Sequence, residues 1–329
     1  MKAAYIKGGA GIDSIELREV PTPDPGAGEA LVRFHAATLN FRDLIVAKGL
    51  IPGLTGDAPL VPLSCATGEV VAVGAGVTRV KLGDRVNPLF GQGWITGAPD
   101  AKRMLGASID GVAREYGVFE AESLCLVPDE LGDMEAATLS CAGLTAFTAV
   151  FGARPLQAGE WILVQGTGGV SLAALQWAKA AGAHVAITSS SDAKLARAKV
   201  LGADVAVNYR TTPDWAAAVR AALGGKGVDI VVDVVGASEL PASASLLNAG
   251  GMIGAVGMLD GSFSWSQQEI KFVPISVGNR GQHEDMLAFA AKHAIRPVVD
   301  VVYDLDRLGD AMRHLESGKF FGKVGINLL

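Results

Sequence analysis

Six consecutive residues, Gly166-Thr167-Gly168-Gly169-Val170-Ser171, have the composition of a loop that cradles phosphate. Gly166 would allow a sharp turn and Gly168 a close approach of backbone to a pyrophosphate. A helix opening at Gly169 and Val170 would turn free amides towards the anion. The third glycine position of that fingerprint holds Ser171, small enough to keep helix and sheet close. About 20 residues further on, where a carboxylate would bind the ribose hydroxyls of NAD, stand Thr188, Ser189, Ser190 and Ser191, followed by Lys194. Hydroxyls and a cation at that strand end suit an additional ribose phosphate, so NADP(H) is expected over NAD(H). The same serines also suit the cap of a following helix, with Lys194 on its solvated face. The two uses are compatible, because a cap and a phosphate site draw on the same free amides.

Such a loop works between a buried strand and its helix, and the flanking sequence supplies both. Residues 161–164 form a continuous apolar run, as in a parallel strand covered on both faces, and 170–181 carry apolar residues at helical spacing. The alternation continues with strand-like 185–188, 205–208, 229–235, 252–256 and 272–277, and with helical 192–201, 214–223 and 239–247. Six strands with crossovers predict a doubly wound parallel sheet of Rossmann type. Before about residue 124 the style differs. Short β-prone runs such as 30–40 and 68–73 are separated by turn residues, and Pro21, Pro23 and Pro25 exclude a central strand. That part predicts a mostly antiparallel barrel or sandwich. The tail from about 279, with a helix over 284–292 and a strand over 323–328, has lost the α/β rhythm and is expected to rejoin the first domain.

The chain of 329 residues has room for two domains at about 150 residues each. A hydrophobic fraction of 50% against 19% charged excludes general disorder, and 42 glycines without a three-residue period exclude collagen. A net charge of −6 is the wrong sign for a protein that tracks phosphate backbones. Cys65, Cys125 and Cys141 show no Cys-x-x-Cys spacing, so neither a disulfide framework nor a zinc ribbon is readable, and they are expected to act as small core hydrophobes. No run reaches the roughly 18 apolar residues of a membrane span. The expectation is a soluble, unexported protein of the reducing cytoplasm, with neither nucleic acid nor membrane as partner.

Beyond these patterns the chain resembles, over essentially its whole length, the zinc-independent branch of the medium-chain dehydrogenase/reductase superfamily, close to the quinone oxidoreductases. The resemblance rests on Leu39-Asn40-Phe41-Arg42-Asp43, the stretch from Gly68 to Gly74 continuing through Lys81-Leu82-Gly83-Asp84-Arg85-Val86, Gly143-Leu144-Thr145-Ala146, the glycine loop, Asn208-Tyr209-Arg210 and Phe321-Gly322-Lys323. It implies a GroES-like, mostly β barrel domain over 1–125 plus 280–329, with a Rossmann NADP(H)-binding domain inserted over 126–279 and the active site between them. By position it implies that Lys194 and Tyr209 hold the 2′-phosphate, where Ser189 and Ser190 are already expected, and it agrees with Gly166, Gly168, Gly169 and Val170 as the pyrophosphate loop. It implies Thr145 on the nicotinamide side and the backbone around Val256, Gly257 and Met258 and from Val277 through Gly278 to Asn279 at the nicotinamide ribose and amide, with Asn40, Gly322 and Lys323 also contacting the coenzyme. A homodimer is also implied, with the β-rich stretch 251–258 expected at its interface.

Metal-dependent relatives use a Cys and a His-Glu pair as catalytic zinc ligands; here Asn40 and Ser64-Cys65 stand at those positions, so a zinc site is not expected. Without a Lewis acid, hydride addition to an enone or quinone needs hydrogen-bond donors for the developing oxyanion. Asn40 is the leading candidate donor. Arg42 and Asp43 either supply charge to the reaction or brace the segment by pairing. Ile45 stands where quinone oxidoreductases often carry a tyrosine, leaving solvent as the expected proton donor. Apolar residues in 88–111 and 258–265 suggest a small hydrophobic carbonyl or quinone substrate. The expected activity is NADPH-dependent, metal-free reduction of quinones or activated C=C bonds. The alternatives are a metal-free alcohol or aldehyde oxidoreductase and a noncatalytic NADPH-binding protein.

Overall fold

The computed structural model describes residues 1–236, 238–257 and 270–329. It divides into two compact units, Met1–Ala142 with Gly278–Leu329, and Gly143–Val277. The chain enters the first unit through β1 (Lys2–Tyr5) and β2 (Glu16–Glu19), an antiparallel pair. It continues through β3 (Glu29–Thr38), α1 (Phe41–Lys48), β4 (Cys65–Val73), β5 (Arg85–Pro88), β6 (Tyr116–Glu120), β7 (Leu124–Leu126) and α2 (Asp133–Ala137). The second unit holds α3 (Leu144–Phe151), β8 (Trp161–Gln165), α4 (Gly169–Ala180), β9 (His184–Ser189), α5 (Asp192–Val200), β10 (Val205–Asn208), α6 (Trp215–Ala222), β11 (Val228–Asp233), α7 (Leu240–Ser245), β12 (Leu247–Ala255) and β13 (Lys271–Pro274). The chain then returns to the first unit with α8 (Arg280–Lys292), β14 (Val299–Asp304), α9 (Leu308–Glu316) and β15 (Lys323–Asn327).

In the first unit the sheet order is β14-β15-β3-β4-β5-β7, with β6 also paired to β3. β3 is long because it serves two neighbourhoods. Ala30, Leu31, Val32 and Phe34 of its first half are buried and Arg33 is exposed, while its end, Ala36 to Thr38, is buried throughout. Phe34 meets Phe119 of β6 edge to face at 5.7 Å, and deleting so buried a ring costs about 3–5 kcal/mol. The last pair between β3 and β4 joins Thr38 to Cys65.

Residues 126–142, expected with the Rossmann domain, fall in the first unit, as do 278 and 279. Side-chain bonds explain the first difference: Thr38 donates to Ala137 O at 3.0 Å, Asn87 to Ala136 O at 2.9 Å, and Arg85 pairs with Asp133 at 2.7 Å. Those anchors tie α2 to β3 and β5.

The second unit's sheet runs β10-β9-β8-β11-β12-β13, every pair parallel. β8 lies at the centre with Ile162, Leu163 and Val164 fully buried, which is why its sequence is an unbroken apolar run. The strand order reverses between β8 and β11, and ligands of such sheets bind at the carboxyl ends of the strands at that switch point. α4 buries Leu172, Leu175 and Trp177; the Trp177 indole donates to Gly143 O at 3.1 Å and meets Phe147 edge-on. The stretch 251–258, expected at a dimer interface, belongs through residue 255 to β12, which is bonded on both sides by β11 and β13. A strand paired on both sides has no edge to offer a second chain.

Candidate functional site

The glycine loop closes on itself before any ligand is considered. Gly166, at φ +74°, donates its N–H to Thr188 O at 2.8 Å, tying the end of β8 to the end of β9. Gly168 caps α4 from an extended conformation without a side chain, leaving the helix start to backbone alone. A Cβ on Gly166 or Gly168 would meet no heavy atom within 4 Å, so this is open space bounded by backbone. Ser171 is buried and donates its hydroxyl to Gln165 O at 2.6 Å. The residue in the third glycine position thus closes the strand-to-helix turn with its own side chain. Gly169 and Val170 form the first turn of α4.

Next to the loop, at the ends of β9 and β10, lie the residues expected to read the ribose. Ser191 caps α5, accepting from Lys194 N at 3.4 Å, and Ser189 is buried with its hydroxyl accepting from Ser191 N. Ser190 is half-buried, and Tyr209 is exposed, with its N–H on Ser189 O at 3.1 Å. One carboxylate stands here that the ribose expectation left out. Asp192, the first residue of α5, accepts from Asn208 Nδ2 at 2.8 Å. Val256 and Gly257 follow β12 with both N–H groups on Asp233 O, and Thr145 is buried in α3. Met258, and the stretch 258–265 expected against substrate, lie outside the described residues.

The first unit gathers a second group of predicted residues. Asn40 caps α1 in a capping box: its N–H donates to Asp43 Oδ2 at 2.7 Å. Lys323, 5% exposed at the start of β15, donates from Nζ to Asn40 Oδ1 at 2.6 Å and to Leu39 O. The Asn40 amide group in turn donates to Cys65 Sγ at 3.1 Å and Ser64 Oγ at 3.4 Å. Its two amide hydrogens are thereby engaged, so the expected free donor to a substrate carbonyl is instead the hub of a buried network.

Asp43 is also buried. Burial lifts its carboxyl to about 6, against the Asn40 N–H and the Arg42 and Lys323 charges, which lower it; Oδ1 has no hydrogen-bond partner. Arg42 and Asp43 are not paired with each other. Arg42 donates to Leu105 O at 2.8 Å and stacks on Phe90 at 4.7 Å, bracing the 88–111 segment. Within that segment Phe90, Trp94 and Leu105 are buried, while 96–98 and 100–102 are exposed.

Sequence reasoning missed two features of this group. Leu63, just before Ser64 and Cys65, is buried at φ +68°, and its carbonyl is approached so closely that a Cβ on Gly111 would lie 1.9 Å from it. Cys141 lies in the π-helical turn Leu139–Gly143; its influence helps bring the Cys65 thiol below the usual range, while the Cys141 thiol is itself raised. Gly111 was a readable punctuation mark; the influence of Cys141 on Cys65 left no local signal. Gly278 and Asn279 lie in the first unit, Asn279 capping α8 by accepting from Gln282 N at 3.1 Å. Gly322, at φ +89°, sets the turn before Lys323.

A sheet with this strand order, a glycine turn at the end of its central strand and a GroES-like partner unit defines a nicotinamide-dependent oxidoreductase of the dehydrogenase type. Residues 26–129 match the alcohol dehydrogenase GroES-like domain and 169–292 match the zinc-binding dehydrogenase domain. The chain is 37% identical to the zinc-type alcohol dehydrogenase-like protein C1773.06c of Schizosaccharomyces pombe, over 97% of this chain and 96% of that protein. A putative alcohol dehydrogenase from Sinorhizobium meliloti 1021 superposes with a TM-score of 0.90 at 36% identity, over 99% of both chains. The quinone oxidoreductase from Coxiella burnetii superposes at 0.82 with 25% identity, again over 99% of both. The chain belongs to the medium-chain dehydrogenase/reductase superfamily.

The zinc in one of those domain names does not fit the donors present. Among the described residues no three His, Cys, Asp or Glu side chains are grouped to hold a metal ion. At the positions of the family's ligands, Asn40 Oδ1 already accepts from an ammonium, and a second cation beside Lys323 would be repelled.

Proposed function

We propose that this protein is an NADPH-dependent reductase of quinones or activated C=C bonds that works without a metal. The observation that carries the reading is the pairing of an open glycine cradle at the end of β8 with a Ser189, Ser190, Lys194 and Tyr209 edge beside it. A nicotinamide coenzyme bound there supplies the hydride. Gly166, Gly168, Gly169 and Val170 hold its pyrophosphate, with backbone donors and the α4 dipole opposing the negative charge. Ser190, Lys194 and Tyr209 hold the 2′-phosphate, while Asn208 ties off the Asp192 carboxylate that would repel it. Thr145, Val256, Gly257, Met258, Gly278, Asn279 and Gly322 take the nicotinamide side.

Hydride addition leaves negative charge on the acceptor oxygen. Lys323 meets that charge: its ammonium is buried, held by two neutral oxygens, and aligned by Asn40. Asn40 serves by orientation, and Asp43 fixes Asn40 through the cap. Arg42 is structural. We further propose that the protein is a cytoplasmic homodimer and that its substrate is a small hydrophobic carbonyl or quinone.

Several relatives are named alcohol dehydrogenases, one of them zinc-type, and that favours alcohol chemistry; the second reading is therefore an alcohol or aldehyde oxidoreductase on the same coenzyme, metal-free by the donor argument above. Steady-state NADPH oxidation with a quinone, an alkenal and a simple aldehyde, all with chelator present, separates the two. Turnover of the quinone or alkenal supports the first reading, turnover of the aldehyde alone replaces it with the second, and loss of turnover on chelation overturns both. Tight NADPH binding with no acceptor turned over would make the protein a noncatalytic binder.

A further inference from the structure

The cluster around Lys323 leaves one of its polar hydrogens without an acceptor among the described residues. Resting on the reading of the protein as a reductase of quinones or activated C=C bonds, we propose that Lys323 is also its general acid, giving a proton to the acceptor oxygen whose charge it meets.

An ammonium carries three N–H donors. Among the described residues that of Lys323 has two hydrogen-bond partners, Leu39 O and, at 2.6 Å, Asn40 Oδ1. Both acceptors are held from elsewhere. Leu39 donates its N–H to Val324 O at 3.0 Å, which fastens it to β15 beside Lys323. Asn40 has its N–H on Asp43 and its amide hydrogens on Cys65 and Ser64, so its carbonyl oxygen is the atom turned to the ammonium. With two of the tetrahedral N–H directions taken, the third is fixed as well. It is the one left for a substrate oxygen.

The neighbouring groups are poorer proton donors. Arg42 donates to Leu105 O, and a guanidinium does not give up its proton in a protein. Both amide hydrogens of Asn40 are engaged. Asp43, Cys65 and Cys141 are the titratable groups that feel the Lys323 charge, and none of them bonds Nζ. Lys323 is 5% exposed, so bulk water competes little for its free hydrogen. It lies between neutral oxygens and not in an ion pair. An ammonium held in that way parts with its proton more readily than one bonded to a carboxylate.

The step balances in atoms and electrons. Addition of hydride from a reduced nicotinamide to the β-carbon of an enone shifts the C=C pair towards the carbonyl and leaves an enolate oxygen. One Lys323 N–H bond then breaks: the proton goes to that oxygen and the electron pair stays on nitrogen, giving an enol and a neutral amine. The enol rearranges to the ketone in water, and the amine recovers its proton from solvent. With a quinone the hydride leaves a hydroquinone monoanion, and the same proton completes the hydroquinone. Each turnover consumes one hydride and one proton. Lys323 thereby takes the role that the sequence left to solvent.

The test is steady-state reduction of an alkenal and a quinone by NADPH with the full chain, read as kcat against pH. Wild-type kcat should fall as the pH rises and the ammonium is lost. The Lys323 Cε resonance, followed by carbon NMR, should titrate with the same midpoint. Lys323→Arg keeps the charge but cannot release a proton, so it should lose kcat about 100-fold, as Lys323→Met does, and both should lose the alkaline limb. Lys323→Ala should regain part of its kcat when ethylammonium is added. A lysine that acts through its charge alone gives another pattern: Lys323→Arg keeps most of kcat, and that result overturns the proposal. A wild-type kcat that stays level into alkaline pH, or a resonance that titrates apart from the limb, overturns it too. In each of those cases wild-type turnover stands and only the role of Lys323 falls. A wild type that reduces neither acceptor overturns the reading of the protein as a reductase, and this proposal with it. The wild-type profile and resonance decide the matter even if no variant folds.

Discussion

His283 gives the sharpest quantitative prediction. It lies on α8 with its ring fully buried and neither Nδ1 nor Nε2 bonded, and burial lowers its pKa from 6.5 to about 4. The unfolded chain takes up a proton at this residue below about 6.5, while the folded chain resists until about 4. Unfolding is therefore coupled to proton uptake in that window. The stabilisation is complete above pH 6.5 and is lost as the pH falls towards 4. At about 1.36 kcal/mol per pH unit the whole gap is worth about 3 kcal/mol, and about 2 kcal/mol has gone by pH 5. Asp43 works in the opposite sense over nearly the same window, so the wild-type profile alone conceals both residues. The measurement is urea unfolding followed by tryptophan fluorescence at pH 7.5 and pH 5 for wild type and His283→Leu. The variant should gain about 2 kcal/mol on the wild type between those two conditions. Profiles that stay parallel would show that the ring is hydrated or partnered in solution and would refute the reasoning.

Asp43→Asn keeps a cap acceptor for the Asn40 N–H but removes a buried charge. Because the Asp43 carboxyl is raised to about 6, its ionisation costs stability as the pH rises from 3.8. The same unfolding assay should therefore show the variant gaining about 3 kcal/mol on wild type between pH 4 and pH 8. Lys194→Glu should weaken NADPH binding about 10- to 100-fold and leave NADH nearly unchanged, as read by fluorescence titration, because one charge-assisted bond becomes a repulsion. Gly168→Val should leave the melting temperature within a few degrees of wild type, since its Cβ meets no atom of the protein, while abolishing binding of either coenzyme. Lys323→Met should lower kcat by about 100-fold or more if its ammonium stabilises the oxyanion, with a much smaller effect on coenzyme affinity.

Much of the second unit could be read directly from the chain. A strand covered on both faces must be apolar throughout, and a helix packed against it must repeat every 3.6 residues, so 161–164 and 170–181 announced β8 and α4. The glycine turn was legible for the same local reason: at φ +74°, Gly166 adopts a conformation that other residues avoid. β14 and α9 went unread, as did the docking of α2. Val299–Asp304 pairs with β15, and that neighbour's place is set by β3, nearly three hundred residues earlier. Asp133 is held by Arg85 and His35, partners that no window of adjacent residues contains.

The same distinction runs through the candidate site. Sequence by itself determined the parallel α/β repeat, the phosphate-type turn and the serine-rich edge next to it, because each is built by neighbours whose spacing obeys helix and strand periods. Only the tertiary structure decided what Asn40 does. It stands between Lys323 and Cys65, with Asp43 beneath it, and Cys141 arrives from the π-helical turn after α2. Those residues lie up to 283 positions apart, and only their packing together gives Asp43 and Cys65 proton affinities that neither would have alone in water.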